Sequence, residues 1–324
     1  MSRRLYLAFC AAFLVGAATT RPAAGQESAC DRPVSLLGAE IDNHEPVFAR
    51  CVNEAGVSLL ATRRWLVGDE AFLLLVDPET LKTQIARAAC WRCAETRDGE
   101  EAETRFLRAI EGPGKEPDTP KALVNMGLIH GQGSGSYLTG DLCPSSRPLD
   151  RSFLELVAKE GAATPIALSI SGGWILHHAE DLDWLRNKIE SGALAVSWVN
   201  HSYSHPFAKD RPKEETFLRT AGVDLDAEIL ETERLMLQHG LTPSVFFRFP
   251  GLISDASLMQ KLRERHLVAL GADSWIALGP PPRPGSIMLV HPNGNEPAGL
   301  KIFARLLQEK KVPKPLRPIE NAPR

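Results

Sequence analysis

The chain of 324 residues has no second long apolar run. Beyond residues 5–18, no stretch approaches the roughly 20 apolar residues that a spanning helix requires, so no stable membrane span is expected. It has no basic excess either. Its 37 Lys and Arg stand against 40 Asp and Glu, and nucleic acid, which calls for a basic face, is excluded as a partner. The glycines around His130 come without a P-loop lysine, so that segment reads as a turn and not a phosphate cradle. The CxxC at Cys90-Trp91-Arg92-Cys93 lacks a thioredoxin-like βαβ setting. A structural disulfide within the N-terminal piece is the expected use of these cysteines. No repeat and no low-complexity tract is present.

What is there begins with a leader. Arg3 and Arg4 precede an apolar stretch, and Ala23-Ala24-Gly25 offers a small-residue cleavage site, so residues 1–25 read as a secretory signal and the protein as secreted or periplasmic. Cleavage removes Arg3, Arg4 and Arg21 and no acid, so 37 basic residues become 34 against 40 acids, a balance of −6. Cys30, Cys51, Cys90, Cys93 and Cys143 remain. In an exported protein disulfides are the default, and with an odd number Cys143, distant from the rest, is the expected free thiol. Residues 26–119 form a cysteine-containing N-terminal extension that ends in a Gly- and Pro-rich linker over 112–117. Residues 120–310 form the main domain, and 311–324 a C-terminal tail.

From residue 121 short β-type runs alternate with helical ones. Strands are expected over 136–139, 166–170, 194–199, 245–247, 267–270 and 287–290. Helices follow Asp150, cover 182–189, run from 224 to 238 and from 254 to 265, and close over 300–307. Alternation of this kind implies a parallel sheet with helices outside. Polar residues sit at the ends of these runs: Asp141, His201, Arg248, Asp273 and His291. In parallel barrels the carboxyl rim is where catalytic groups gather. His201 and His205, four residues apart, can point to one side of a single helical turn, which is ligand spacing for a divalent metal. His177 and His178 read as surface residues, Trp174, Trp184 and Trp198 as core. Asn293-Gly294-Asn295-Glu296 is a turn or a substrate contact, and Asn200 a partner to His201 or the end of its strand.

Over residues 123–308 the pattern resembles the polysaccharide deacetylase family, the NodB-homology carbohydrate esterases. Thr139-Gly140-Asp141-Leu142-Cys143-Pro144-Ser145 resembles the family's T-F-D-D-G-P-S. His201-Ser202-Tyr203-Ser204-His205-Pro206 matches H-[ST]-x-x-H-P in full, and Arg248-Phe249-Pro250 matches R-x-P. Asp273-Ser274-Trp275 echoes the fourth motif, and Leu289-Val290-His291 matches the L-x-H of the fifth. The resemblance implies an α/β fold, a distorted (β/α) barrel of about seven parallel strands with a small N-terminal extension. It implies removal of acetyl groups from an N-acetylated glycan, peptidoglycan or an exported polysaccharide, with a divalent metal, usually zinc. His201 and His205 would hold the metal. Asp141 would take the proton from water, His291 would protonate the leaving amine, Arg248 would orient Asp141, and Asp273 would fix the tautomer of His291.

Two positions depart from the family. Leu142 stands where the second aspartate, usually the third ligand, belongs. Three readings follow: Asp141 binds the metal itself, Cys143 supplies a thiolate, or the protein binds sugar without catalysis. Gly251 stands where an aromatic residue often follows the Pro of the third motif, which leaves that wall of the site unassigned.

Overall fold

The computed structural model describes residue 30, residues 32–112 and residues 121–324. The leader 1–25 and the linker residues 113–117 lie outside the described residues. Five strands build an antiparallel sheet near the N-terminus: β1 Asp42–Asn53, β2 Ser58–Val67, β3 Glu70–Val76, β4 Thr83–Arg87 and β5 Trp91–Glu95, in the order β4-β3-β2-β1-β5. Gly68, at φ +58°, opens the two-residue turn between β2 and β3, a position where a side chain at positive φ is costly. Cys51 stands directly opposite Cys93 across β1 and β5, and the two form a disulfide. The CxxC is therefore not a redox pair: Cys93 is tied to Cys51, and Cys90 is disulfide-bonded as well. Cys143 is the free cysteine among the described residues, as expected.

After the short strand β6 Leu123–Val124, the main sheet forms from β7 Tyr137–Leu142, β8 Thr164–Ile170, β9 Leu194–Asn200, β10 Pro243–Phe247, β12 Val268–Ala269, β13 Ser274–Trp275 and β14 Ile287–Val290. Strand β11 Ile253–Ser254 pairs only with β6. The seven strands run parallel in the order β12-β10-β9-β8-β7-β14-β13. This is the α/β fold of about seven parallel strands that the sequence leads one to expect. Residues 128–130 link the two sides of the curled sheet, for Leu128 bridges to Leu270, just after β12, and His130 to Ser286, just before β14.

Side-chain parity decides what each strand shows to each layer. On β14, Met288 and Val290 join the outer core with Phe153, Trp174 and Phe303. Ile287 and Leu289 join the inner core with Tyr137, Ala167 and Val199. On β7, Leu138 and Leu142 face the outer core, while Tyr137 is inner. Thr139 and Asp141 share the parity of Tyr137, and Cys143 continues it past the strand end.

Residues 34–324 form one compact unit. Leu60, Val76, Leu81 and Phe106 of the N-terminal region pack into the same core as Val199 and Phe246. Arg63 on β2 donates from Nε to Glu233 Oε2 at 2.6 Å and from Nη2 to Oε1 at 3.0 Å, reaching the helix Leu225–Gln238. The closing residues 311–324 are part of the body: Leu316, Ile319 and Ala322 are buried, and Leu316 bridges to Ser136.

Candidate active site

Asp141 ends its strand's inner face, His201 follows β9, Arg248 follows β10 and His291 follows β14. All four therefore stand at the carboxyl rim, and together with His205 and Cys143 they surround one cavity except for Arg248, which lies behind Asp141. Asp141 sits within β7 and not two residues beyond it.

The two histidines do not ride on a helical turn. Residues 201–206 form a loop in which Ser202 and His205 adopt φ of 66° and 48°. Such backbone needs support. Asn200 Oδ1 accepts from Ser202 N at 3.0 Å, Ser202 Oγ accepts from His205 N at 3.2 Å, and Glu228 accepts from Ser204 N at 2.9 Å and from its hydroxyl. Asn200 thus shapes the loop after its strand. Gly172 allows the loop to dock, since a Cβ there would stand 2.4 Å from the Tyr203 ring. The result sets the His201 and His205 rings 4.8 Å apart, edge to face.

His201 Nδ1 donates to the Arg248 carbonyl at 2.8 Å, which fixes its tautomer and leaves the Nε2 lone pair facing inward. Around Nε2 stand Cys143 Sγ at 3.5 Å and Asp141 Oδ2 at 3.7 Å. Burial holds both imidazoles in the neutral form: His201 is lowered by desolvation, and His205 is lowered to about 3 by desolvation and the neighbouring His201. Burial raises the Asp141 carboxyl, but the Arg248 guanidinium outweighs it and holds the group below its ordinary range. Burial, with Asp141 next in effect, pushes the Cys143 thiol up. Arg248 is fully buried; its Nη2 donates to Thr139 Oγ1 and the Gly271 carbonyl, and its Nη1 lies 3.6 Å from Asp141 Oδ1.

One expected site residue is elsewhere. Asp273 accepts from Ile287 N at 2.9 Å, at the amino end of β14, and contacts His130 Nδ1 at 2.7 Å. His291 is four residues further along, roughly 13 Å at strand rise. Asp273 therefore belongs to the opposite rim and cannot set the tautomer of His291. Glu296 stands in that place, with Oε2 3.1 Å from His291 Nδ1 and both oxygens accepting from Trp275 Nε1 at 3.0 Å. In the turn before it, Asn293 is buried and donates to the Cys143 carbonyl at 3.0 Å. The signal for Glu296 was its place just before Pro297, at the start of a helix that begins on the same rim as His291. His177 is exposed as expected, but His178 is buried, stacked on Trp174 and paired with Asp181. Trp174 and Trp198 are core.

The cavity has a volume of about 180 Å³, and its apolar walls are Phe217, Leu252, Trp275 and Leu289. Phe217 is the aromatic group that Gly251 lacks. A Cβ on Gly251, at φ +61°, would lie 2.4 Å from the Phe217 ring. The glycine makes room for an aromatic delivered from another segment. That ring meets His205 edge-on at 5.6 Å and the exposed Phe207 at 5.1 Å.

The donor set suits a divalent metal. Ligating atoms of Cys143, His201 and His205 all lie within 4.8 Å of one another, and Asp141 is not in that set. His205 Nε2 is shielded from solvent and has no hydrogen-bond partner in the protein. Two neutral imidazoles beside a sulfur are zinc-type donors.

No family model matches the chain. Among solved structures it is similar to a family 4 carbohydrate esterase from Bacillus anthracis, at 19% identity and TM-score 0.45 over 63% of this chain and 97% of that one. It is similar to PdaA of Bacillus subtilis, a family 4 carbohydrate esterase, at 11% identity and TM-score 0.44 over 71% and 90%. It is similar also to a pseudoenzyme of the same family from Bacillus anthracis, at 17% identity and TM-score 0.37 over 56% and 63%. These three solved structures belong to family 4 of the carbohydrate esterases, the NodB-type family whose motifs this sequence resembles.

Proposed function

We propose that the protein is an exported, metal-dependent deacetylase that hydrolyses the N-acetyl group of an amino-sugar-containing glycan, peptidoglycan or an exported polysaccharide. The observation that carries this reading is the convergence of Asp141, His201, His205 and His291 on one cavity at the carboxyl rim. Its volume, about 180 Å³, is below the roughly 300–1,000 Å³ of pockets that enclose a whole small ligand. A side group enters, and the sugar ring stays at the mouth. Leu252 and Leu289 suit an acetyl methyl, and the Phe207–Phe217 ledge suits the apolar face of a sugar ring.

His201 and His205 would hold the metal. A bound divalent ion supplies Lewis-acid polarisation of the amide carbonyl and lowers the pKa of water. Asp141 is kept ionised by Arg248 and accepts the proton of the attacking water. Glu296 accepts from His291 Nδ1 and favours the imidazolium, from which the Nε2 proton would pass to the departing amine. The Cys51–Cys93 disulfide supports an oxidising compartment, and no helix among the described residues is long and apolar enough to cross a membrane.

A second reading, a glycan binder without turnover, rests on Leu142, whose side chain is buried in the outer core and offers no ligand. Incubation of the purified chain with chitooligosaccharide or peptidoglycan separates the two. The deacetylase predicts free acetate, lost on chelation and restored by zinc or cobalt. Retained glycan without acetate under every metal would establish the binder.

A further inference from the structure

The metal reading leaves the third protein ligand open, and Leu142 cannot supply it. We propose that Cys143 does, as a thiolate, so that the centre is Cys-His-His with Asp141 free to act as base. The inference rests on the metal-dependent reading above and goes beyond it in naming a sulfur ligand.

Strand parity carries the first part of the argument. Thr139, Asp141 and Cys143 alternate with Leu138 and Leu142, whose side chains lie in the outer core. A carboxylate at 142 would point into the helical layer. Cys143 returns the chain to the inner face, and Asn293 pins its carbonyl there. Distance carries the second part. For ligands at tetrahedral angles, Zn–S near 2.3 Å and Zn–N near 2.05 Å imply a sulfur–nitrogen separation of about 3.6 Å. The Cys143 Sγ to His201 Nε2 distance is 3.5 Å. A thiol hydrogen bond spans the same gap, but it would engage one histidine only. Here His205 also brings a ligating nitrogen within 4.8 Å of both, and its shielded Nε2 has no partner in the protein. Chemistry carries the third. Thiolate beside two imidazoles favours zinc or cobalt over magnesium or manganese, which prefer all-oxygen sites. On binding, the Sγ–metal bond forms as the Sγ–H bond breaks, and the proton leaves to buffer.

The test is cobalt(II) titration of the metal-stripped full chain, with its disulfides intact, followed by absorption spectroscopy. One equivalent of cobalt is expected to produce a thiolate-to-cobalt charge-transfer band in the near ultraviolet. Cys143→Ser should lose that band and bind cobalt weaker by more than the roughly 10–100-fold that an outer-shell defect costs. Cys143→Asp should bind cobalt without the band, which separates ligand exchange from misfolding. Stoichiometric cobalt with no such band in the unmodified chain overturns the sulfur ligand and leaves the metal reading standing. A band that persists in Cys143→Ser overturns it as well. If neither cobalt nor zinc binds the unmodified chain, the metal reading itself fails and this inference with it.

Discussion

Arg63 and Arg248 are both buried opposite a carboxylate. Arg63 forms a two-pronged pair with Glu233, and its Nη1 donates to the Thr62 and Arg265 carbonyls at 2.7 and 2.9 Å. Arg248 stands 3.6 Å from Asp141, and its Nε and Nη1, like Asp141 Oδ1, have no hydrogen-bond partner in the protein. The desolvation cost of a buried ion is offset only when its hydrogen bonds are made. The first pair is complete and fastens the N-terminal sheet to the helix Leu225–Gln238. The second is incomplete within the protein, with no direct hydrogen bond between its two charges. The two pairs share a support. The helix that carries Glu233 also carries Glu228, which holds the Ser204 loop between the two site histidines.

The largest expected effect falls on the incomplete pair. Asp141→Asn keeps the shape but cannot accept the water proton, so kcat for acetate release should fall by roughly 10²–10⁴-fold, the usual contribution of a general base. Steady-state acetate assays check this. A variant that keeps more than a tenth of the rate removes Asp141 from the mechanism.

Glu233→Gln strikes the complete pair and should read out oppositely. Removing one partner of a buried ion pair costs about 3–5 kcal/mol, which denaturant unfolding will show. Acetate release per folded molecule should stay within a few-fold. Loss of turnover in protein that remains folded would show that the sheet acts on the site and not only on stability. Leu142→Asp sharpens the same contrast. It places a carboxylate against Phe153 and Trp174 in the outer core, a cost of several kcal/mol, and it should leave cobalt affinity no higher.

The two rims of the barrel give a smaller contrast. Glu296→Gln weakens the hold on His291, so kcat should drop, by no more than the roughly 10²–10⁴-fold that acid catalysis contributes, while KM holds. The pH profile of kcat should shift too, which a purely structural defect would not produce. Asp273→Asn, on the amino rim, should leave kcat unchanged. Equal loss in both variants would return Asp273 to the role that its sequence position suggested.

That misplacement shows how far the sequence could be read. Strand β14 was legible to the residue, because four apolar side chains end at His291 and Pro292. The site histidines were legible as a pair, but their loop was not, since it depends on Asn200 and Glu228 and not on helical spacing. By sequence Asp273 falls at the end of the run 267–270, because β13 is only two residues long and too short to carry a pattern. In the fold it is the residue before that strand, on the opposite rim. Phe217 was invisible because residues 206–224 have no periodicity, and only the clash at Gly251 shows which ring fills the wall. The five-stranded sheet was unread beyond its cysteines.

The smallest effect belongs to an ion pair between that sheet and the short helix Asp98–Glu101, set against the buried one at Glu233. Arg50 Nε donates to Glu101 Oε1 at 2.9 Å, Thr96 adds a hydroxyl at 3.1 Å, and the Arg50 hydrogen bond holds the Glu101 carboxyl below its ordinary range. A carboxyl lowered on folding adds stability that is fully present above its unfolded value, near 4.3, and is lost as pH falls through the folded value. Arg50 is partly exposed, so solvent screening limits the term to under about 1 kcal/mol. Glu101→Gln should therefore lower Tm by about 2 °C or less at pH 7, and the gap should narrow as pH falls below the ordinary carboxylate range. A gap that widens on acidification would mean that Glu101 is protonated in the native state and that Arg50 finds its stabilisation elsewhere.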